Sequence, residues 1–287
     1  MLVRGHNEEE TARQVRHGLE VFGPDGAVWM RLTGAGYWRF YLPFVHVNFF
    51  GPKDEYFLSR DWPEAVPPRR PGDPPWRCHF IEPPVDLKQP VLRAAGARVT
   101  MTPSELAEFG TWTGTDAGLN DWFFGRMLAK DAVRAAWNER HGEAMFPADM
   151  ETEADGRGGI VCRPRGGPKA EPFPPVSVAV ADGKVAAFAA FARCAGVALE
   201  VLPKGSGPDA ERAARERAAC RAVADALRVA PEGLSAAALD PKSGSAVVAL
   251  ARPVLAHYSD LGGRVRVQTA RQKDVVVATT VCEAAGG

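Results

Sequence analysis

The chain has 287 residues, 46% of them hydrophobic and 24% charged, and its 35 basic side chains balance its 35 acidic ones. That composition is ordinary for a soluble globular protein of one large domain or two small ones. Balanced charge gives no reason to expect nucleic acid or an anionic membrane as partner, although it leaves room for a local basic pocket.

No apolar run approaches ~18 residues, so no membrane span is predicted. The opening MLVRGHNEEETARQVRHG lacks the apolar core of a signal peptide. Cys78, Cys162, Cys194, Cys220 and Cys282 have no CxxC spacing, which predicts reduced thiols and a cytoplasmic location. The six histidines show neither HExxH nor paired Cys/His spacing, which argues against zinc.

In chain order, residues 17–22 and 27–32 read as strands around the turn Gly23-Pro24-Asp25-Gly26. An aromatic-rich stretch follows at 36–50. Prolines recur from Pro52 to Pro90, and because proline lacks a backbone donor this segment reads as a connector laid over a surface. Thr102-Pro103-Ser104-Glu105 is a capping box that starts a helix. The longest helix is predicted from about Asn120 to Arg140, stopping before Gly142. Its apolar stripe is Phe123, Met127, Val133 and Trp137, with Arg126, Lys130, Arg134 and Arg140 off it. Strands at 176–181 and 184–192 are joined at Asp182-Gly183, a hairpin signal. A strand at about 195–201 precedes an alanine-rich helix over about 208–228, whose packed face is expected to begin after Arg215. Strands at 246–251, 265–270 and 274–280 complete the chain. From residue 100 onward, helix plus antiparallel strands therefore occurs twice, which predicts an α+β fold of two similar halves.

The run DWFFGRMLAKDAVRAAW at 121–137 and, about 60 residues later, GVALE at 196–200 are where a family likeness appears. In that order they resemble the 4′-phosphopantetheinyl transferase domains at the ends of polyketide and polyunsaturated-fatty-acid synthases. The resemblance implies a two-lobed, pseudo-dimeric α+β fold, each lobe an antiparallel sheet with a long helix, and a site between the lobes for coenzyme A and magnesium. It extends through Phe146–Glu151, taken as a strand, and the loop Gly156-Arg157-Gly158. The implied division is 95–192 for the first lobe and 193–287 for the second, preceded by a connector at 63–94. Within the segment 1–62, residues 17–62, with LEVFGPDGAVWMRLTGAGYWRFYLPF and then YFLSRDWP, resemble the closing segment of a dehydratase-like hotdog domain that precedes the transferase in such synthases. This implies a carboxy-terminal portion of a synthase, or a split-off subunit.

The likeness also locates the chemistry, and there the chain departs from the family. A Ser-(x)-x-His segment corresponds to Ser177-Val178-Ala179-Val180, with Val180 in the histidine's place. The GxDxE motif, whose two carboxylates hold Mg²⁺, corresponds to 196–200, where Ala198 replaces the aspartate and only Glu200 remains. In the WxxKEAxxK helix motif, Cys220 replaces lysine, Arg221 replaces glutamate and Asp225 replaces the second lysine. Arg126 and Lys130 could hold a coenzyme phosphate or form a solvated helix face. Arg157 stands where the family's loop has a basic residue, although the loop's proline is missing. Glu200 is the relic metal ligand or an edge-strand glutamate. Cys220 could be a thiol activated by Arg221 or a small packed residue.

The expectation is a degenerate transferase-like domain with no catalytic residues and no cofactor, acting as a structural or docking module. Its partner would be an acyl carrier protein or another synthase domain, with no nucleic acid and no membrane. The alternative is an active transferase with a divergent site, using coenzyme A and Mg²⁺ to modify a carrier-protein serine.

Overall fold

The structure, a computed structural model, describes residues 2–10, 14–38, 57–156, 159–165, 171–240 and 242–282. It divides into two compact units, 1–45 and 46–287. The first unit is an antiparallel sheet of β1 (Leu2–Glu10), β2 (Gln14–Phe22) and β3 (Val28–Trp38), in that order. The predicted turn joins β2 to β3, with Gly23 N–H donating to the Ala27 carbonyl at 2.8 Å and Gly26 at φ 78°. Register places Val3, Val21 and Met30 opposite one another, and likewise Leu19 and Leu32, so one face is apolar. β1 falls in a stretch where the sequence predicted no element.

In the second unit, β4 (Arg60–Asp61) and β5 (Trp76–Ile81) lie inside the proline-rich segment. β5 is hydrogen-bonded on both sides, and Trp76, Cys78, Phe80 and Ile81 are buried. The expectation of a surface connector is therefore corrected here. Pro74-Pro75 and Pro83-Pro84 bracket this strand without entering it, so all six residues keep their N–H donors. Helix α1 (Pro90–Thr100) starts on proline and was not predicted. α2 (Pro103–Gly110) has the predicted reciprocal capping box between Thr102 and Glu105.

α3 (Asp116–His141) is capped by the Thr115 side chain and ends at Gly142, which takes the left-handed conformation at φ 65°. That geometry favours glycine and explains where the helix stops. After a short 3₁₀ turn at 147–149 come β6 (Met150–Ala154) and β7 (Ile160–Pro164). The strand expected over 146–151 thus begins only at Met150, because the Asp149 carboxylate accepts the Phe146 N–H at 2.8 Å and closes a turn.

β8 (Val176–Ala181) and β9 (Lys184–Ala190) form the predicted hairpin, with Asp182 and Gly183 both at positive φ. β10 (Cys194–Val201), α4 (Pro208–Leu227), β11 (Leu234–Leu239), β12 (Ser245–Leu250), α5 (Arg252–His257), β13 (Arg264–Gln272) and β14 (Val275–Cys282) follow. One sheet has the order β4-β5-β9-β8 and the other β10-β14-β13-β12-β11, all neighbours antiparallel. The arrangement is a mixed α+β fold.

The two sheets share one core, in which Trp62, Phe80 and Phe188 meet Val197, Leu199 and Val277. α3 packs on the other side of the first sheet and α4 on the other side of the second. β10 serves both cores by alternation. Ala195, Val197 and Leu199 face the shared core, and Ala198 faces α4.

His79 on β5 sits in a buried polar chain beneath α3. Asp131 accepts from Leu58 N–H at 3.0 Å, Ser59 N–H at 3.1 Å and Ser59 Oγ at 2.7 Å. The serine proton is committed to that carboxylate, so His79 Nδ1 is the donor in its 2.9 Å contact with Ser59 Oγ. Nε2 is then a buried acceptor without a donor. Burial, aided by Arg77 and Arg134, pushes the His79 pKa down to about 3. The unfolded chain binds this proton near 6.5 and the folded chain only near 3, so stability falls as pH drops through that window. We expect the melting temperature of His79→Gln to decline less steeply across this window than that of the unsubstituted protein, in a differential scanning calorimetry series.

Candidate functional site

α3 is apolar or enclosed on nearly every side along its middle turns, and this decides what its cations do. Lys130 is completely buried. Its Nζ donates to Glu105 Oε2 at 2.6 Å and to the Thr100 carbonyl at 2.9 Å. Glu105 is the capping-box residue of α2 and also accepts from Thr102 N–H at 2.7 Å and Thr152 N–H at 2.9 Å. Burial pushes the Glu105 pKa up, but the ammonium and these donors outweigh it and hold it below the ordinary value. Arg126 is also buried. It donates to Thr152 Oγ1 at 2.8 Å, and its Nη2 donates to both Glu108 carboxylate oxygens at 2.8 and 3.0 Å, while the guanidinium stacks 4.5 Å over the Trp122 ring.

The reading of these residues as a solvated helix face is corrected, since both are buried. Arg126 and Lys130 tie α3 to α2 and β6, each paired with a carboxylate. Arg134, expected off the packed stripe, is likewise buried and donates to the Met145 carbonyl. Arg140 alone of the four stays exposed, pairing with Glu171 at 2.8 Å. Arg157 lies outside the described residues.

The residues matched to the metal motif sit where β10 passes under α4. Ala198 is buried against the helix, and Glu200, two residues on, shares its face. The Glu200 carboxylate is only 11% exposed and is held by two α4 arginines. Arg217 donates from Nη2 at 3.2 Å and Nε at 3.3 Å to Oε2, and Arg221 Nη1 donates to Oε1. Among the described residues no group of three or more His, Cys, Asp or Glu side chains is placed to hold a metal ion. Magnesium does not fit this donor set: one carboxylate with both oxygens engaged, an alanine where a second ligand would stand, and two guanidiniums that repel a dication. Coenzyme phosphates fit Arg126 and Lys130 no better, since both are buried and already paired with carboxylates.

A second contact joins the remaining matched segments. Ser177 on β8 is buried and accepts from Val197 N–H on β10 at 2.9 Å, while its hydroxyl donates to Asp225 on α4. Burial raises the Asp225 pKa against the opposing pull of Ser177 and Arg228. Arg228, in a left-handed conformation at the end of α4, bonds Asp225 at 2.8 Å and Asp155 at 3.0 Å. These contacts fasten β6, β8 and β10 to one end of the helix. Val180 does not join them. Three residues beyond Ser177 on a strand it takes the opposite face, and it is 40% exposed.

Sequence reasoning found Ser177, Glu200, Arg221 and Asp225 but missed Arg217 and Arg228. Arg217 lies four residues before Arg221 on a helix, which is the signal that both could reach one strand carboxylate. Two further expectations are settled. Cys220 is partly packed against the α4 core and burial raises its thiol pKa, which favours the packed reading. The packed face of α4 begins at Ala214 and Arg215, a turn earlier than expected, because Arg215 spans to Thr269 Oγ1 at 2.9 Å and pairs with Glu211.

Lys130→Met strands the Glu105 charge in a buried position and is expected to cost about 3–5 kcal/mol in urea denaturation, with or without coenzyme A present. Ser177→Ala leaves Val197 N–H and Asp225 short of a partner and is expected to cost roughly 1–3 kcal/mol by the same measurement. Glu200→Gln removes only pairs to well-exposed arginines, so a loss of about 1 kcal/mol or less is expected.

No protein-family model matches the chain, and no curated protein matches it.

Proposed function

We propose that residues 57–282 form a phosphopantetheinyl-transferase-like module without transfer chemistry, a structural or docking part of a polyketide or fatty-acid synthase. Its partner in this reading is an acyl carrier protein or another synthase domain. The observation that carries the proposal is a convergence. Glu200 and Arg221, 21 residues apart, and Ser177 and Asp225, 48 residues apart, meet along α4. Two segments selected only for their likeness to the family's site motifs therefore approach the helix that carries the third, which favours the alignment.

The charges at this convergence then argue against transfer. Moving phosphopantetheine from coenzyme A needs the leaving phosphate's developing charge neutralised, a Lewis-acid contribution of several kcal/mol. Each ~1.4 kcal/mol lost is about tenfold in rate. Here Glu200 is neutralised by guanidiniums, and Asp225 puts a carboxylate where the family places a phosphate-binding lysine.

The test incubates the full chain with coenzyme A, Mg²⁺ and an apo acyl carrier protein, and weighs the carrier by mass spectrometry. No mass gain is expected. A gain of the phosphopantetheine arm would instead establish the active, divergent transferase. In parallel, calorimetry is expected to detect carrier-protein or synthase-domain binding, and absence of affinity for all such partners defeats the docking role.

A further inference from the structure

A cavity of about 530 Å³ lies in the second unit, between β13, the end of β14, and the segment leading into β5. Its size falls within the roughly 300–1,000 Å³ of small-molecule sites. Trp76, Leu261 and Val281 supply apolar wall. Arg264 and Arg266 stand two apart on β13, hence on one face, and Arg70 comes from the segment leading into β5.

Among the described residues, the basic side chains of this wall are not held by carboxylates, unlike those around α4. Arg193, Arg215, Arg217 and Arg221 each hold a carboxylate. Arg70, Arg264 and Arg266 have no ion-pair partner among the described residues, though all three border the same hollow. The acids that share the lining do not compensate them, because Asp260 is taken by Arg193 and Asp73 accepts the Arg70 backbone N–H. Trp76, the aromatic side chain of the wall, is itself buried. Three cations bordering one hollow favour an anion within it.

We propose that this cavity binds a small molecule with an apolar body and one anionic head group, a carboxylate, sulfonate or phosphate. The body lies against Trp76, Leu261 and Val281. The head is gripped by the guanidinium forks of Arg264 and Arg266, with Arg70 closing the rim, because such forks match oxyanion geometry. This site stands apart from Glu200 and α4, so it does not depend on the transferase-like reading.

Calorimetric titration of the full chain with naphthoate tests it, using naphthylmethanol as the neutral counterpart and inorganic phosphate as the head group alone. Naphthoate is expected to bind more tightly than either. The double variant Arg264→Glu, Arg266→Glu alters exposed side chains and is expected to weaken naphthoate at least about tenfold, close to 1.4 kcal/mol. Trp76→Phe, checked for folding by circular dichroism, is expected to weaken it several-fold. Arg252→Glu, a charge reversal outside the cavity, is expected to leave affinity unchanged. The proposal is overturned if naphthoate gives no heat at millimolar concentration, if naphthylmethanol or phosphate binds as well, or if the β13 double variant binds no worse than Arg252→Glu.

Discussion

α4 lies on β10 at a distance only glycine allows. A Cβ at Gly196 would stand 2.0 Å from the Ala222 carbonyl oxygen and 2.8 Å from the Ala226 Cβ, inside any tolerable contact. On the helix side the contact is built from Ala214, Ala218, Ala219 and Ala222, all fully buried and adding almost no thickness. This approach fixes the height and rotation of the helix on the sheet. Arg217 and Arg221 then reach down to Glu200, and Asp225 reaches across to Ser177. The arrangement of charge at the candidate site is thus a consequence of how small the residues beneath it are.

α3 reaches the same end by another route. Its middle turns are covered on all sides, so its polar residues are compensated in place: Lys130 by Glu105, Arg126 by Glu108 and Thr152, Asp131 by Ser59 and Arg134. Such buried pairs contribute little net stability compared with apolar packing, but breaking one partner is costly. They therefore act as constraints on which elements may sit beside the helix. The capping box illustrates this economy, since one glutamate starts α2 and neutralises a lysine of α3.

What could be read beforehand follows from whether a signal was local. The Thr102 cap, the Gly142 stop and the Asp182-Gly183 hairpin depend on residues close in sequence, and each appears as expected. β5 was hidden because flanking prolines coloured a whole segment, although they spare the six residues that pair. The burial of Arg126, Lys130 and Arg134 was illegible because their partners come from α2, β6 and the chain before them, and periodicity along one helix carries no record of what covers it. At the candidate site, the contacts of Glu200 with Arg221 and Ser177 with Asp225 join residues picked from separate motifs. Val180 failed to join them because strand alternation turns it away.

The central claim is that a guanidinium pair, not a divalent cation, neutralises Glu200. It is tested most directly by a crystal structure of the protein soaked with Mn²⁺ and coenzyme A, with anomalous difference maps calculated at the manganese edge. The account predicts no anomalous peak beside Glu200, with Arg217 and Arg221 still in hydrogen-bond contact with its carboxylate. A manganese peak coordinated by Glu200, with the arginines displaced, would contradict it.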